Sequence, residues 1–143
     1  MELYEILEHR GDFKIKVLGK TKEELFLNAM KGMIAGMRPK NTKQKTQNKK
    51  IKIESSDLNA LLVDFLSEVL YQIQTNREIY NDVKFKKFSD THSTSSGQAE
   101  LEAELIGQKV ESFGEDIKAV TYHGLDIRQR GDGLFEAIVL FDI

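Results

Sequence analysis

The sequence predicts an α+β fold in which two helices pack on a mostly antiparallel sheet. Two segments carry apolar residues at helical spacing, while segments before, between and after them alternate apolar and polar residues as strands do. That order is typical of helices packed on an antiparallel sheet. The chain of 143 residues has the length of one domain, so we predict a single domain over residues 1–143.

Local signals set the ends of both helices. Thr21 and Glu24 have the spacing of a capping box, so the first helix is predicted to begin there and to end within residues 36–39. Ser55, Ser56 and Asp57 offer N-cap oxygens to a second helix, predicted to end around residues 75–76, whose apolar residues recur every three or four positions. The methionines of the first helix are predicted to fill the core: Met30, Met33 and Met37.

Strands are predicted where apolar residues alternate with polar ones or form short runs between turn residues. The segments between them are a tight turn at residues 131–133, a mobile hairpin tip at 89–98 and a loop at 107–115. The predicted strands are residues 4–8, 13–18, 49–54, 83–86, 99–105, 119–122, 125–130 and 134–143.

Composition excludes several kinds of site. The chain has no cysteine, which rules out disulfides, thiolate zinc sites and cysteine nucleophiles. It contains no GxGxxG, GxxxxGK[ST], HExxH or GxSxG motif, so no local pattern indicates an enzyme. No apolar run is long enough to cross a membrane and the N-terminus lacks the core of a signal peptide, so we expect a cytoplasmic protein.

The charge is uneven, although the net charge is only −2. The segment from Arg38 to Lys50 holds six cations and no acidic residue. Such a segment can contact phosphates or an acidic protein surface. It can also be a solvated, mobile loop, because it has no aromatic side chain on which a base would stack. Both interpretations stay open.

Acidic residues near the two ends of the chain form the first candidate site. Asp12 precedes the predicted strand 13–18, and Asp142 lies one residue from the carboxylate of Ile143. If the first and last strand regions pair, three carboxylates meet, and such a cluster attracts a cation. Hard oxygen ligands favour calcium or magnesium. Asp12 and Asp142 are equally compatible with two ordinary surface acids.

The segment from Lys118 to His123 is the second candidate site. A lysine and a histidine at the two ends of a short strand can present polar groups at the rim of a site. The alternative is a hydrated lysine and a histidine whose hydrogen bonds are satisfied by the backbone. His9 and His92 are distant in sequence, and His92 is predicted to be inert in its polar loop.

Segments spread over nearly the whole chain match the patterns of one known family. They are Tyr4-Glu5, Glu8-His9 and Asp12, then residues 19–26, residues 56–68, residues 118–123 and the final Phe141-Asp142-Ile143. Together they resemble the archease family. The sequence departs from the family pattern at Arg10-Gly11, where archeases usually have Thr-Ala, and at Lys14, where they have glycine.

The resemblance implies a protein that catalyses nothing by itself. Archeases support an RNA ligase of the RtcB family, which joins RNA ends with GTP and divalent metal, by promoting its guanylylation and repeated turnover. The implied partners are therefore this ligase and, through it, tRNA, with no membrane. The resemblance also implies a divalent metal, calcium or magnesium/manganese, on Asp12, Asp142 and the carboxylate of Ile143. It implies Lys118 as a residue that supports activation.

Two other functions stay open. A chaperone-like module would hold client proteins on exposed apolar side chains, and its metal binding would be incidental. A small metal-dependent enzyme would use the same acidic cluster with His9 or His123 as acid or base. Dependence on Asp142 separates the activator from the chaperone, whereas turnover of a phosphoester by the protein alone identifies the enzyme.

Overall fold

The computed structural model describes residues 3–8, 11–90 and 97–143. Within these residues the chain forms strands and helices in the order β1 (Tyr4–Glu8), β2 (Asp12–Gly19), α1 (Lys22–Gly36), β3 (Pro39–Lys45), β4 (Lys49–Ser55), α2 (Leu58–Asn76), β5 (Glu78–Ser89), β6 (Ala99–Phe113), β7 (Ala119–Thr121), β8 (Arg128–Gln129) and β9 (Phe135–Asp142).

These elements form two compact units, one of Met1–Pro39 with Phe113–Ile143 and the other of Lys40–Ser112. The first unit contains α1 and a five-stranded sheet in the order β1-β2-β9-β7, with β8 also paired to β9. The second contains α2 and a four-stranded sheet in which β6 pairs with β3, β4 and β5. The strand pairs whose register is described are antiparallel. The predicted α+β class is confirmed, with the strands divided between two sheets.

The predicted helix starts are confirmed by their caps. The Thr21 hydroxyl accepts a hydrogen bond from the Glu24 amide at 3.0 Å, and the Glu24 carboxylate accepts one from the Lys20 amide at 3.3 Å. At the second helix, Asp57 accepts from the Ala60 amide at 2.8 Å. These contacts satisfy amides that have no partner inside the helix, so the local sequence fixes where each helix begins.

Each helix covers one face of its own sheet. Helix α1 packs on β1, β2 and β9, and α2 packs on β4 and β5. The methionines of α1 are buried as predicted. None of the described helices is long and apolar enough to cross a membrane. The single domain over residues 1–143 stays a prediction.

Two sequence predictions about strands and loops are wrong, and the loop interpretation of the basic segment does not agree with the structure. Residues 38–50 are not a loop, because β3 covers most of them and β4 begins at Lys49. The predicted loop at 107–115 is the end of β6, which continues to Phe113. Only Arg128–Gln129 of the predicted strand 125–130 pairs as a strand.

Gly107 explains why the loop prediction failed. A glycine that ends an apolar run and is followed by polar residues is typical of a turn. Here, however, Gly107 is buried inside β6, and a Cβ at this position would lie 2.9 Å from both Tyr80 and the Thr46 hydroxyl. The glycine therefore permits close packing across the sheet instead of reversing the chain.

Two turn predictions have different outcomes. The turn at 131–133 joins β8 to β9, with Gly133 at φ +88° and the Arg130 amide donating to the Leu134 carbonyl at 2.7 Å, so it is confirmed. The hairpin tip predicted at 89–98 falls mainly on residues 91–96, which lie outside the described residues, as does His92.

Candidate functional site

Strands β2 and β9 place Asp12 directly opposite Asp142. Side chains at directly opposed positions leave the same face of a sheet, with Cβ atoms about 5 Å apart. The two carboxylates are therefore neighbours, although about 130 positions separate them in the chain. The first and last strand regions therefore pair, as the candidate carboxylate site required.

Two buried aromatic rings fix the backbone that carries these carboxylates. Phe13 and Phe141, each next to one of the aspartates, are also directly opposed and are 1% and 0% exposed. Their ring centroids lie 5.4 Å apart. Helix α1 approaches Phe13 so closely that a Cβ at Gly36 would lie 2.2 Å from the ring. Core packing on one face of the sheet therefore sets the spacing of the carboxylates on the other.

Strand β7 supports Asp142 from its second side. Ala119 is opposite Asp142, and the Lys118 amide donates to the Asp142 carbonyl at 2.8 Å. The Lys118 side chain is exposed. Ile143, half-buried, follows Asp142 directly and carries the third carboxylate of the predicted set. The structure thus brings the backbones of Lys118, Asp142 and Asp12 together on adjacent strands.

His123, the histidine that the described part of the chain contains, is not grouped with the carboxylate pair. Strand β7 runs from Ala119, opposite Asp142, to Thr121, opposite Leu140, about 7 Å further along the sheet. His123 follows beyond the end of β7, exposed, and its amide donates to the Thr121 hydroxyl at 3.3 Å. His9 lies outside the described residues.

Lys14 is a neighbour of the site that sequence reasoning did not include. The side chains of β2 alternate between buried and half-buried, which puts Lys14 on the same face as Asp12, two positions along the strand. That separation is about 7 Å. A lysine at this distance partly offsets the repulsion between two carboxylates. The alternation of apolar and polar residues along β2 is the sequence signal that places Lys14 on the same face as Asp12.

The chemistry of the donor set fits a hard divalent cation. Carboxylate oxygens are the ligands that calcium and magnesium prefer, and two opposed negative charges repel unless a cation lies near them. Across residues 3–8, 11–90 and 97–143, no three His, Cys, Asp or Glu side chains are grouped as a metal site. The candidate set differs from such a group, because it combines two side chains with the main-chain carboxylate of Ile143.

The chain matches one known protein family over almost its whole length. The sequence profile of the Archease protein family (MTH1598/TM1083) matches residues 4–143. Protein archease of Methanosarcina barkeri is 33% identical over 144 residues, which cover 98% of this chain and 95% of that protein. Protein archease of Thermococcus kodakarensis is 27% identical over 143 residues, covering 100% of both chains.

Two solved structures have the same fold. The solution structure of Methanobacterium thermoautotrophicum protein 1598 superposes with a TM-score of 0.78 at 27% identity and covers 100% of both chains. The crystal structure of an archease from Thermotoga maritima, named a possible chaperone, gives a TM-score of 0.60 at 19% identity and covers 96% of this chain and 94% of that one. With the family profile matching nearly every residue, the chain belongs to the archease family.

Proposed function

We propose that this chain is a non-enzymatic activator of an RNA ligase of the RtcB family, acting in the cytoplasm in tRNA splicing or RNA repair. In this role it promotes guanylylation of the ligase by GTP and repeated turnover. Membership of the archease family supports the proposal. The single observation that carries it is the direct opposition of Asp12 and Asp142 on β2 and β9.

The proposed metal ligands are the carboxylates of Asp12, Asp142 and Ile143, and the metal is calcium or magnesium/manganese. A divalent ion held there supplies positive charge that can neutralise phosphate oxygens. The chain contributes a fixed backbone for the ligands, because β2 and β7 are both hydrogen-bonded to β9 and the core face of β2 and β9 is closed by Phe13 and Phe141.

Lys118 has a supporting role in this proposal. The Lys118 amide donates a hydrogen bond to the Asp142 carbonyl, so Lys118 lies beside the proposed metal ligands. Its side chain is exposed, and its ammonium group can contact an anionic group of a partner. A lysine in this position holds negative charge by Coulomb attraction and does not need to exchange a proton. The proposed activity therefore requires a partner that supplies the reacting groups.

The test is GTP-dependent guanylylation of the cognate ligase with wild type, Asp142→Asn or Glu136→Gln. Glu136 lies on the same strand and face as Asp142, six positions away, which is about 20 Å. Both substitutions remove one negative charge. We expect wild type and Glu136→Gln to accelerate guanylylation and Asp142→Asn to have no effect.

The binding of Ca²⁺ by the isolated protein provides a second readout. Isothermal titration should show binding to wild type and Glu136→Gln, with at least about tenfold weaker binding to Asp12→Asn and Asp142→Asn. If Asp142→Asn stimulates the ligase as well as wild type does, the proposed role of this site is wrong. If wild type does not stimulate at all, the proposed partner is wrong.

A second candidate function is a chaperone-like protein-binding module, the role suggested by the name of the Thermotoga maritima structure. Neighbouring residues Ile6 and Leu7 of β1 are 47% and 41% exposed, which offers some apolar surface to a client. Suppression of aggregation of an unfolded client that is unchanged in Asp142→Asn would favour this function. Hydrolysis of a phosphoester by the protein alone would instead favour a metal-dependent enzyme.

A further inference from the structure

Most of the basic segment, residues 38–50, lies in strand β3, which takes no part in the carboxylate site. Strand β3 pairs with β6, the Thr42 hydroxyl donates to the Lys109 carbonyl at 3.1 Å, and the Gln108 side chain donates to the Thr42 carbonyl at 3.0 Å. In the part of the chain that the structure describes, β6 is the only strand paired with β3. The other side of β3 is therefore an exposed edge of the four-stranded sheet.

Some cations of the segment are already engaged. The Arg38 guanidinium donates to the Gly114 carbonyl at 3.0 Å and lies 3.6 Å from the Glu115 carboxylate. Lys49 lies 3.0 Å from the carboxylate of the buried Glu78. Lys50 is directly opposite Glu104. Arg38 and Lys49 therefore have acidic partners within ion-pair distance, whereas Lys50 has only an acidic neighbour across the strand pair.

The lysines of β3 differ from these, and we name them the basic edge: Lys40, Lys43 and Lys45. Lys40 lies 3.7 Å from Glu111, but the two side chains are 71% and 60% exposed, so water and salt screen the pair. Among the described residues, Lys43 and Lys45 have no acidic group within ion-pair distance and both are exposed. Apart from the screened contact of Lys40, the basic edge therefore carries positive charge that no described acidic side chain pairs with.

The uncharged side chains around the basic edge are also hydrogen-bond donors. Asn41, Gln44 and Gln47 are exposed amides, and no carboxylate occurs between residues 38 and 50. Lysine, asparagine, glutamine and backbone amides are the groups that commonly contact phosphate oxygens. Phosphate groups accept hydrogen bonds and donate none, which matches a surface rich in donors.

We propose that the basic edge binds the phosphate backbone of a nucleic acid without regard to sequence. Edge lysines discourage pairing with another strand, which argues against a peptide that would extend the sheet. The absence of aromatic side chains from residues 38–50 argues against base stacking, so the contacts are to phosphate. This binding does not depend on the carboxylate site or on the identity of the ligase.

The test is fluorescence anisotropy of a labelled single-stranded RNA of mixed sequence with the isolated full chain over a range of salt concentrations. The test variant is Lys43→Gln with Lys45→Gln. The control is Lys84→Gln with Lys86→Gln, which removes the same charge from two exposed lysines with the same spacing on β5. Circular dichroism and thermal melting show that both variants are folded.

We expect salt-dependent RNA binding by wild type and by the control. In the test variant the slope of log K against log salt should become shallower by about 1.4, since each phosphate contact on a single strand contributes about 0.7. Binding at low salt should fall roughly tenfold in the test variant.

Three results would overturn the proposal. The first is that wild type fails to bind RNA saturably at low salt, or binds it with a Kd above about 100 μM, which is the weak end of non-specific affinities. Another is an equal loss in the test variant and the control, which would mean that total charge matters and the edge does not. The third is binding of polyglutamate with the same affinity and salt slope as RNA, which would assign the edge to acidic proteins.

Discussion

Glu78 is a carboxylate that folding removes from water, with 2% of its surface exposed. Lys49 lies 3.0 Å from it, and the Tyr80 hydroxyl donates to it at 2.9 Å. Burial by itself raises the pKa of Glu78, but the hydrogen bonds and the charge of Lys49 outweigh burial and lower the pKa below its ordinary value. Burial and the bond to Glu78 raise the pKa of Tyr80, so the hydroxyl remains a donor.

This pKa shift predicts how stability depends on pH. The folded state holds the Glu78 proton less tightly than the unfolded chain does, so the stabilisation is complete above the ordinary pKa and is lost as pH falls through the lower folded value. Urea denaturation from about pH 6 to about pH 3 should show a steeper loss of unfolding free energy in wild type than in Glu78→Gln. An equal loss of unfolding free energy with falling pH in the two proteins would contradict the lowered pKa of Glu78.

Removal of Lys49 should be costly because it leaves the buried carboxylate without its ion pair. We expect Lys49→Met to lower the free energy of unfolding at neutral pH by about 3 kcal/mol. The matched control is Lys87→Met, which breaks a pair with Glu100 at 2.7 Å in which the lysine is 51% exposed. That change should cost much less than Lys49→Met, because water screens the charge of the exposed Lys87. Similar costs in urea denaturation would show that Glu78 does not depend on Lys49.

At the scale of elements, the contact between α1 and β2 determines how the carboxylate pair is held. Gly36, the last residue of α1, lies against the ring of Phe13, and Phe13 directly follows Asp12. No larger side chain fits there without movement of the ring. The end of α1 is therefore coupled to the strand that carries Asp12.

Gly36→Ala tests this coupling. The added methyl group would lie 2.2 Å from the Phe13 ring, so we expect a loss of unfolding free energy of about 1–3 kcal/mol from overpacking. Phe13→Leu provides a double-mutant cycle, because the smaller side chain leaves room for the methyl group. The cost of Gly36→Ala should be smaller in the Phe13→Leu background. Costs that add to within about 0.5 kcal/mol would show that the ring contact is not the cause.

Helices and strands that have signals in their own residues could be predicted from the sequence. Strands that form only because they pair with another strand could not. The caps at Thr21 and Asp57 and the helical spacing behind them depend only on nearby residues, so both helices were predicted correctly. Strand β3 has an exposed edge and no alternation of apolar residues, and only its pairing with β6 makes it a strand. The sequence of β3 therefore contains no signal that distinguishes it from a loop.

At the scale of the whole molecule, the candidate site depends on which strands become neighbours. Asp12 and Asp142 could be chosen as a candidate site from their positions in the sequence, and the family resemblance implied a metal there. Their opposition follows from the register of β2 on β9, which packing of the Phe13 and Phe141 rings favours and which no local pattern specifies. Lys14 was missed for the same reason, since its nearness to Asp12 matters only once the opposed carboxylate is known.

The proposed metal should change the stability of the whole chain in a way that depends on Asp142. Without metal, Asp12 and Asp142 repel each other, so Asp142→Asn in EDTA should be more stable than wild type by about 0.2–1 kcal/mol. At a Ca²⁺ concentration about 100 times Kd, wild type should gain about 2.7 kcal/mol and Asp142→Asn should gain little. Urea denaturation with and without Ca²⁺ should therefore reverse their order. If the same protein is the more stable one with and without Ca²⁺, the result would contradict a cation bound by both Asp12 and Asp142.

The pairing of β2 with β9 also has a consequence for biosynthesis. Asp12 leaves the ribosome early, but its partner is added about 130 residues later. At translation rates of roughly 5–20 residues per second, the nascent chain spends on the order of ten seconds with half of the carboxylate pair. During this time β2 lacks the strand that pairs along its full length. A chain cut short during translation before β9 would keep Asp12 and lack Asp142, so the two aspartates can become neighbours only after residue 142 has been added.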